Sequence, residues 1–315
     1  MNNPVRSNRM NHFLAIESGG SSTRVALADA SGAVRGMERC PSGSALYRDP
    51  DGFAEALRDA ITRVCAGGSE APVAAIGLAG PMDADLAARV LDEVLPGVPR
   101  HVYAEGDIAR GLYDLDVGVA LVAGTGCSCS AVNEAGELLS LGGYGPQFGD
   151  EGSGYWIACE ALKAAFLAEQ GRIPPTPLLD AARAFFGAES PWDIHREASG
   201  TGHVPAPRIA AFAAAVDPVA DGGDDRAARI LSEAGAHLGR LVVETVARAG
   251  IAANPVPLVM TGGALRSART VSALEGVLAA APVTFHIYPI VHEPIAGLIR
   301  LLQRATGART LDHVS

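Results

Sequence analysis

The chain is predicted to be an α/β protein built from two related lobes, each with a mixed sheet flanked by helices. Apolar runs of strand length alternate with helical stretches along its 315 residues. A glycine-rich hairpin also occurs twice, at residues 13–28 and 119–132. A shift of 104 residues superposes the two copies, so that Gly20 falls on Gly124. The repeat therefore predicts two lobes of similar construction that face a shared cleft.

The length of the chain is comfortable for two domains. A second set of apolar strands begins near residue 117, which marks the expected boundary between lobes. We therefore expect an N-terminal lobe at residues 1–116 and a C-terminal lobe at residues 117–293. The helix predicted over residues 294–310 is expected to pack back on the first lobe.

Turn residues and hydrophobic spacing predict the elements of the first lobe in order. Three antiparallel strands come first, and each is separated from the next by a short polar turn. Apolar residues at helical spacing then predict the first helix. The expected elements are strands at 13–16, 24–28 and 33–38, a helix at 52–66, a strand at 73–78, a helix at 83–93, a strand at 102–104 and a helix from 105.

The second lobe repeats the hairpin and then becomes largely helical. Prolines at positions 174, 175 and 177 end its first helix, and residues 187–207 are rich in Gly, Pro, Ser and His, which predicts surface loops. Asp224 or Asp225 is expected to cap a long helix. The remaining expected elements are a strand at 257–260, the Thr261–Ala264 turn, a strand at 283–288 and a final helix at 294–306.

Composition narrows the function classes. The net charge of −10 and the lack of a basic stripe argue against a nucleic-acid partner. No apolar run approaches the roughly 20 residues of a membrane helix, and the five scattered cysteines suit a reducing cytoplasm. We therefore expect a cytoplasmic protein. The Cys127-x-Cys129 pair is interpreted as small strand residues, with a metal or redox role as the alternative.

The two glycine turns are the strongest functional signal. Tight turns between strands expose consecutive backbone N–H groups, and glycine permits the close approach of a ligand. Such nests bind phosphate oxygens, and nearby hydroxyls add donors. Two turns in register, with Thr261-Gly-Gly263 after a third strand, predict a nucleotide site. The turns match neither a Walker loop, which needs Gly-Lys-Ser/Thr, nor a Rossmann fingerprint, because they join antiparallel strands.

These segments resemble the motifs of the actin/hexokinase/Hsp70 ATPase superfamily. Within it, the run Gly142–Trp156 resembles the signature of N-acetylglucosamine kinases and of the BadF/BadG/BcrA/BcrD ATPases, and the resemblance covers roughly residues 13–305. The segments that match are Ile16–Arg24 for the first phosphate motif, Val122–Gly126 for the second, Val259–Gly263 for the adenosine motif, and Gly77–Gly80 and Ala220–Ala227 for the family.

The resemblance implies two ribonuclease-H-like, or actin-like ATPase, lobes that bind ATP with Mg²⁺ between them and phosphorylate an amino-sugar hydroxyl. The expected partner is a small-molecule amino sugar, with neither nucleic acid nor membrane, and the chain is compatible with a homodimer. The implied nucleotide-binding residues are Gly19, Gly20, Ser21, Ser22, Thr23, Gly124, Thr125, Gly126, Cys127, Gly262, Gly263 and Ala264.

The family places its catalytic acid in an Asn-Asp-Ala-like segment before the second phosphate motif. The corresponding stretch here is Val102–Ala109, and aligning its ends places Glu105 on the acid, with Asp107 as the alternative. Residues two apart on a helix lie on nearly opposite faces, so the two carboxylates are not expected to act together. Both could instead cap the start of the helix.

Two further positions depart from the family pattern. Glu17 stands where the family commonly has the Asp that acts on the magnesium shell, and its hard carboxylate oxygen is chemically able to bind Mg²⁺. Ser22 stands where kinases often have Lys, and Arg24 is a candidate replacement for the missing charge.

For the sugar, the resemblance implies Asp150 as the carboxylate that binds hydroxyls, with Tyr144 and Gln147 beside it. Glu151 is the alternative ligand, and both acids could instead stabilise the start of the following helix. Ser44 stands where the family often has a sugar-contacting Asn. Gly80, which ends the Gly77–Gly80 segment, is a further substrate-binding candidate.

The function expected from these residues is ATP-dependent phosphorylation of N-acetylglucosamine, glucosamine or a related amino sugar, at the 6-hydroxyl by resemblance. One alternative is an ATPase activator of an acyl-CoA dehydratase or reductase, whose cysteines share an iron–sulfur cluster. Another is a degenerate kinase fold that only binds nucleotide or sugar, because Glu17, Ser22 and Glu105 all differ from the usual pattern.

Overall fold

The computed structural model describes residues 12–44, 49–67, 72–198, 206–291 and 293–307. These residues form two compact units, one drawn from Met1–Leu112 with Pro294–Ser315 and the other from Tyr113–Glu293. Each unit contains a five-stranded mixed sheet with helices packed on it. The predicted α/β class with mixed sheets is confirmed.

The strands of the first unit are β1 (His12–Ser18), β2 (Ser22–Asp29), β3 (Val34–Pro41), β4 (Val73–Ala79) and β5 (Arg100–Tyr103); those of the second are β6 (Gly118–Ala123), β7 (Cys127–Val132), β8 (Leu138–Gly142), β9 (Val256–Thr261) and β10 (Phe285–Ile287).

The helices in chain order are α1 (Pro50–Gly67), α2 (Ala84–Val94), α3 (Glu105–Gly111), α4 (Gly154–Glu169), α5 (Leu178–Phe186), α6 (Pro191–Ala198), α7 (Ala206–Ala211), α8 (Val216–Asp221), α9 (Asp225–Ala249), α10 (Ala268–Ala279) and α11 (Ile295–Thr306).

In the first unit the strand order is β3-β2-β1-β4-β5, with the first three strands antiparallel and β4 and β5 parallel to β1. Side chains alternate between the faces of a strand. Accordingly, Leu14 and Ile16 join the core formed with α1 and α2, whereas Phe13 and Ala15 join the core formed with α3 and α11. Helix α11 therefore completes one face of this sheet.

The strand order of the second unit is β10-β9-β6-β7-β8. This is the topology of the first sheet, with β6 to β10 in the places of β1 to β5. Helices α9 and α4 pack together, and α9 lies against β6, β7 and β8. The fit between α9 and α10 is close, because a side-chain carbon on Gly235 would come within 2.1 Å of the Thr270 carbonyl oxygen. A single apolar core runs through this unit.

The two glycine turns differ in length, so a constant shift does not superpose the hairpins completely. Residues 19–22 lie between the paired residues Ser18 and Thr23, whereas only residues 124–126 lie between Ala123 and Cys127. The strand registers differ by one residue as a result.

Residues 187–207 were predicted to be loops, but they contain helix α6. Residues 199–205 of this region lie outside the described part of the chain. The sequence does mark the start of α6, with a capping box. The Gly, Pro, Ser and His content of this stretch hid that mark. Ser190 Oγ accepts a hydrogen bond from the Asp193 N–H, and the Asp193 carboxylate accepts one from the Ser190 N–H.

Within the described residues, no helix has the length and apolarity needed to cross a bilayer.

Candidate active site

The first glycine turn joins β1 to β2 and is stabilised from within. The Gly19 N–H donates to the Ser22 carbonyl at 2.9 Å, and the hydroxyls of Ser18 and Thr23 share a hydrogen bond of 2.9 Å. Both of these hydroxyl residues are fully buried, whereas Ser21 is exposed. The buried side chain of Thr23 therefore stabilises the turn through its hydrogen bond to Ser18.

Neighbouring segments hold this turn in place. Ser42 Oγ donates to the Gly19 carbonyl at 2.7 Å, and the Gly43 N–H donates to Ser18 Oγ at 3.0 Å. Gly80, at the end of β4, has a φ of +91°, and a side-chain carbon there would lie 1.8 Å from the Ser18 carbonyl oxygen. In this structure Gly80 permits the backbone of β4 to approach the turn.

Glu17 lies at the end of β1, immediately before the turn, and is only 4% exposed. It faces Arg24 across the β1–β2 ladder, and a guanidinium nitrogen of Arg24 lies 2.5 Å from its carboxylate. The structure thus directs Arg24 toward Glu17.

Glu105 and Asp107 lie in the first turn of α3, directly after β5. Asp107 accepts a hydrogen bond from the Ala104 N–H at 2.9 Å and another from Arg110 at 2.6 Å. The carboxylate of Asp107 therefore caps the helix and pairs with a buried arginine. Glu105 is the first helical residue and is half-buried.

The second glycine turn joins β6 to β7 in the other unit. The Gly124 N–H donates to the Gly126 carbonyl at 2.9 Å, which closes a tight turn around Thr125. The adenosine motif lies against this turn: Gly262 has a φ of +121°, and a side-chain carbon there would lie 2.2 Å from the Ala123 carbonyl oxygen. The second and third glycine motifs are therefore in direct backbone contact.

The run that follows β8 also contacts the second turn. Asp150 is 4% exposed, and its carboxylate accepts a hydrogen bond from the Cys127 N–H at 3.0 Å. Burial raises the pKa of the Asp150 carboxyl; the bond from the Cys127 N–H lowers it, and the nearby Glu151 raises it further. The net effect is a raised pKa.

The other predicted sugar residues are distributed differently. Tyr144 is 77% exposed, and Gln147 and Glu151 are exposed as well. Ser44 is buried, and its N–H donates to Ser42 Oγ at 3.2 Å. The sequence pattern did not single out Phe148, which is 83% exposed and lies in the same loop as Tyr144.

A cavity of about 760 Å³ opens beside the 3-10 turn Gly263–Arg266 that follows the adenosine motif. This volume falls within the range of small-molecule sites. The sequence interpretation missed it, because its walls come from α8, α9 and α10. The residues that line it are Asp217, Asp221, Ser232, Arg266, Ala268, Arg269, Ser272 and Ala273.

Ion pairs and hydrogen bonds organise two of the cavity walls. Ser267 caps α10 and donates to Asp217 at 2.7 Å, and Arg269 donates to Asp221 at 3.1 Å. These bonds join α8 to the start of α10. Arg266 is exposed at the cavity and has a charged, planar guanidinium that can stack on a ring.

Cys127 and Cys129 are both buried in β7. Burial raises the pKa of the Cys127 thiol, and the Asp150 and Glu151 carboxylates raise it further. Among the described residues, no group of three or more His, Cys, Asp or Glu side chains is arranged to hold a metal ion. These cysteines fill the interior of the strand.

Two sheets of equal topology, each with a glycine turn between its first two strands, define an actin-like ATPase fold. The chain belongs to the BadF/BadG/BcrA/BcrD ATPase family, whose sequence pattern matches residues 14–299. The resemblance inferred from the glycine motifs and the Gly142–Trp156 run is confirmed.

Two relatives match parts of the chain. An N-acetylmuramic acid/N-acetylglucosamine kinase of Clostridium acetobutylicum is 31% identical over 164 residues, which cover 52% of this chain and 53% of that protein. A glucosamine kinase of Vibrio cholerae is 27% identical over 188 residues, which cover 56% of this chain and 62% of that protein. The matches thus span little more than half the length of these relatives.

Comparison with solved structures supports the fold over nearly the whole chain. An inferred N-acetylglucosamine kinase from Porphyromonas gingivalis superposes with a TM-score of 0.71 at 22% identity, covering 93% of this chain and 99% of that one. At this identity the likeness establishes the fold alone.

Proposed function

We propose that the protein is an ATP-dependent kinase that phosphorylates an amino sugar of the N-acetylglucosamine or glucosamine class at its 6-hydroxyl, in the cytoplasm. The observation that carries the proposal is the contact between the second glycine turn and the adenosine motif, beside a cavity large enough for a nucleoside. The names of the relatives from Clostridium acetobutylicum and Vibrio cholerae support the substrate class.

In this proposal, each glycine turn binds phosphate oxygens through its backbone N–H groups. Ser21 and Ser22 add hydroxyls in the first turn, and Thr125 adds one in the second. The turns carry no lysine, so backbone dipoles and hydroxyls supply the positive potential. The adenosine portion of ATP occupies the cavity, where Arg266 stacks on the base.

Glu17 has the chemistry to take part in a magnesium site, because its carboxylate is a hard oxygen ligand beside the first turn. When bound, Mg²⁺ would be held by Glu17 and the nucleotide phosphates, and it would neutralise part of their charge. Arg24 shares the Glu17 carboxylate in the structure, so it limits how much negative charge this residue presents.

Glu105 is proposed as the general base. Both Asp107 oxygens already accept hydrogen bonds, one from the helix start and one from Arg110, which supports a positioning role for Asp107 at the start of α3. The proton of the sugar hydroxyl passes to the Glu105 carboxylate as the hydroxyl oxygen bonds to the γ-phosphorus. The bond from that phosphorus to the β,γ-bridging oxygen breaks, and ADP leaves.

On the sugar side, the proposed contacts within the second unit are Tyr144, Gln147, Asp150 and Glu151. The exposed ring of Tyr144 offers an apolar face for a pyranose, and the Gln147 amide offers both a donor and an acceptor.

The direct test measures ADP release with N-acetylglucosamine, glucosamine, N-acetylmuramic acid, N-acetylmannosamine and glucose as acceptors. We expect turnover with an amino sugar and a phosphorus–proton coupling at C6 of the product in two-dimensional NMR. Glu105→Gln protein is the matched control for contaminating kinases. ATP binding without turnover on any sugar would instead identify a degenerate, binding-only protein.

The activator of an acyl-CoA dehydratase or reductase is disfavoured by the position of the cysteines. Cys127 and Cys129 are buried in β7, and the Cys127 Sγ lies 3.4 Å from the Glu151 carbonyl, to which it donates. A cluster shared between chains needs thiolates at a surface. Iron analysis and the visible spectrum of the anaerobically purified protein check this directly.

A further inference from the structure

The run of residues that resembles a sugar signature also surrounds the second glycine turn. On one side, an oxygen of the Asp150 carboxylate accepts from the Cys127 N–H at 3.0 Å. The carboxylate also fills the space beside Gly126, where a side-chain carbon would come within 2.5 Å of its second oxygen. The missing side chain at Gly126 and the inward carboxylate of Asp150 are thus complementary.

On the other side, the first amides of α4 bind the turn. The Gly154 N–H donates to the Gly124 carbonyl at 2.8 Å, and the Tyr155 N–H donates to the Thr125 carbonyl at 3.1 Å. Because a trans peptide unit points its C=O and the next N–H in opposite directions, these bonds turn the N–H groups of Thr125 and Gly126 away from α4.

Asp150 adopts an unusual backbone conformation to make its contact. Its φ is +65°, a left-handed value that few residues other than glycine adopt. The Asp150 carbonyl accepts from the Ser153 N–H at 3.0 Å, and Ser153 in turn caps α4. One short segment therefore fixes both the carboxylate and the helix start.

We propose that Asp150–Tyr155 is a cradle that orients the amides of Thr125 and Gly126 toward the nucleotide phosphates, with Asp150 as its positioning residue. The inference rests on the proposed function in one respect, namely that this turn binds ATP. It assigns to Asp150 a role in nucleotide affinity, separate from any contact that it makes with the sugar.

The test compares Asp150→Ala with Asp150→Asn. Asn keeps the oxygen that accepts from Cys127 and tolerates a positive φ, whereas Ala lacks the acceptor. We expect Asp150→Ala to raise the Kd for ATP about tenfold, the effect of roughly 1.4 kcal/mol, in calorimetry without sugar. Asp150→Asn should stay within about twofold of wild type, because it preserves the hydrogen bond.

Two controls make the result specific. Asp180→Ala removes an exposed aspartate of α5 in the same unit and should leave the ATP Kd unchanged. Gly126→Ala should reproduce the Asp150→Ala effect, because the added carbon would displace the Asp150 carboxylate. This variant takes the place of Asp150→Ala in the comparison if Asp150→Ala protein does not fold. Thermal unfolding of each variant verifies the native state before binding is measured.

An unchanged ATP Kd in Asp150→Ala overturns the inference, and a rise confined to the KM of the sugar assigns Asp150 to the sugar alone. Equal loss in Asp150→Asn and Asp150→Ala also overturns it, because the retained acceptor would then have no effect. If wild-type protein binds no ATP, the proposed function fails instead, so the two failures are distinguishable.

Discussion

Arg24 donates a hydrogen bond of 2.5 Å to Glu17 directly across the β1–β2 ladder. Removing the cation takes a close ion pair away from a carboxylate that is only 4% exposed, which is unfavourable. We expect Arg24→Met to destabilise the protein by about 3 kcal/mol and Glu17→Gln by less, because a buried neutral amide costs less desolvation than a buried carboxylate. Urea unfolding of both variants measures this difference, and equal losses would contradict it.

Glu17→Gln should also change the response to magnesium. A neutral amide is a weaker ligand for Mg²⁺ than a carboxylate. We expect the Mg²⁺ concentration for half-maximal activity to rise several-fold while the KM for the sugar is unchanged. A magnesium titration at saturating sugar tests this, with Glu38→Gln on β3, a partly exposed carboxylate that pairs with Arg63, as the control.

The base is tested by a pair of variants that each remove one charge from the start of α3. Glu105→Gln should lower kcat by roughly 10² to 10⁴, the usual contribution of a general base, with ATP binding retained. Asp107→Asn should instead cost about 1 kcal/mol of stability through the weakened cap and reduce kcat less. An inactive Asp107→Asn enzyme with active Glu105→Gln protein would assign the base to Asp107.

Two glycines that both have a positive φ provide a matched test of close packing. Gly80 has a φ of +91° and faces the Ser18 carbonyl, whereas Gly97 has a φ of +74° and no atom within 4 Å of an added carbon. Gly97→Ala should cost about 1 kcal/mol of backbone strain. Gly80→Ala should cost several times more and displace the first turn; similar melting temperatures would contradict the close approach.

The difference in melting temperature between Asp150→Asn and wild-type protein should depend on pH. Because the folded-state pKa of this carboxyl is raised, chiefly by burial, its contribution to stability is greatest below the unfolded pKa of about 3.9 and is lost as the pH rises through the folded value. We therefore expect the melting temperature of Asp150→Asn, relative to wild type, to increase from pH 4 to pH 7.5. Thermal scans across this range check it; a constant difference would refute it.

Periodicity and turn chemistry predicted most elements of the fold, because strands and long helices leave local patterns. The glycine turns were visible for the same reason, since Gly20 and Gly124 stand between apolar strands. Helix α6 was missed because its capping box lies in a stretch whose composition suggested loops, although Ser190 and Asp193 have the required spacing.

Tertiary roles were harder to predict. The sequence placed Thr23 among phosphate-binding groups and Gly80 among substrate contacts, yet the structure shows them packed below and beside the first turn. Their role as ligands stays a prediction. The cavity was not predictable, because Asp217, Ser232 and Arg269 meet only after three helices pack together.

The first unit is discontinuous in sequence, since α11 completes a face of a sheet whose strands all precede residue 112. During synthesis, every residue of the second unit is made before α11. Because domains tend to fold as the ribosome releases them, the second unit can form its core first, while Phe13, Ala15 and their neighbours still expose one side of the first sheet. This face of the first sheet is therefore completed only after α11 has been made, although its strands precede the whole second unit in sequence.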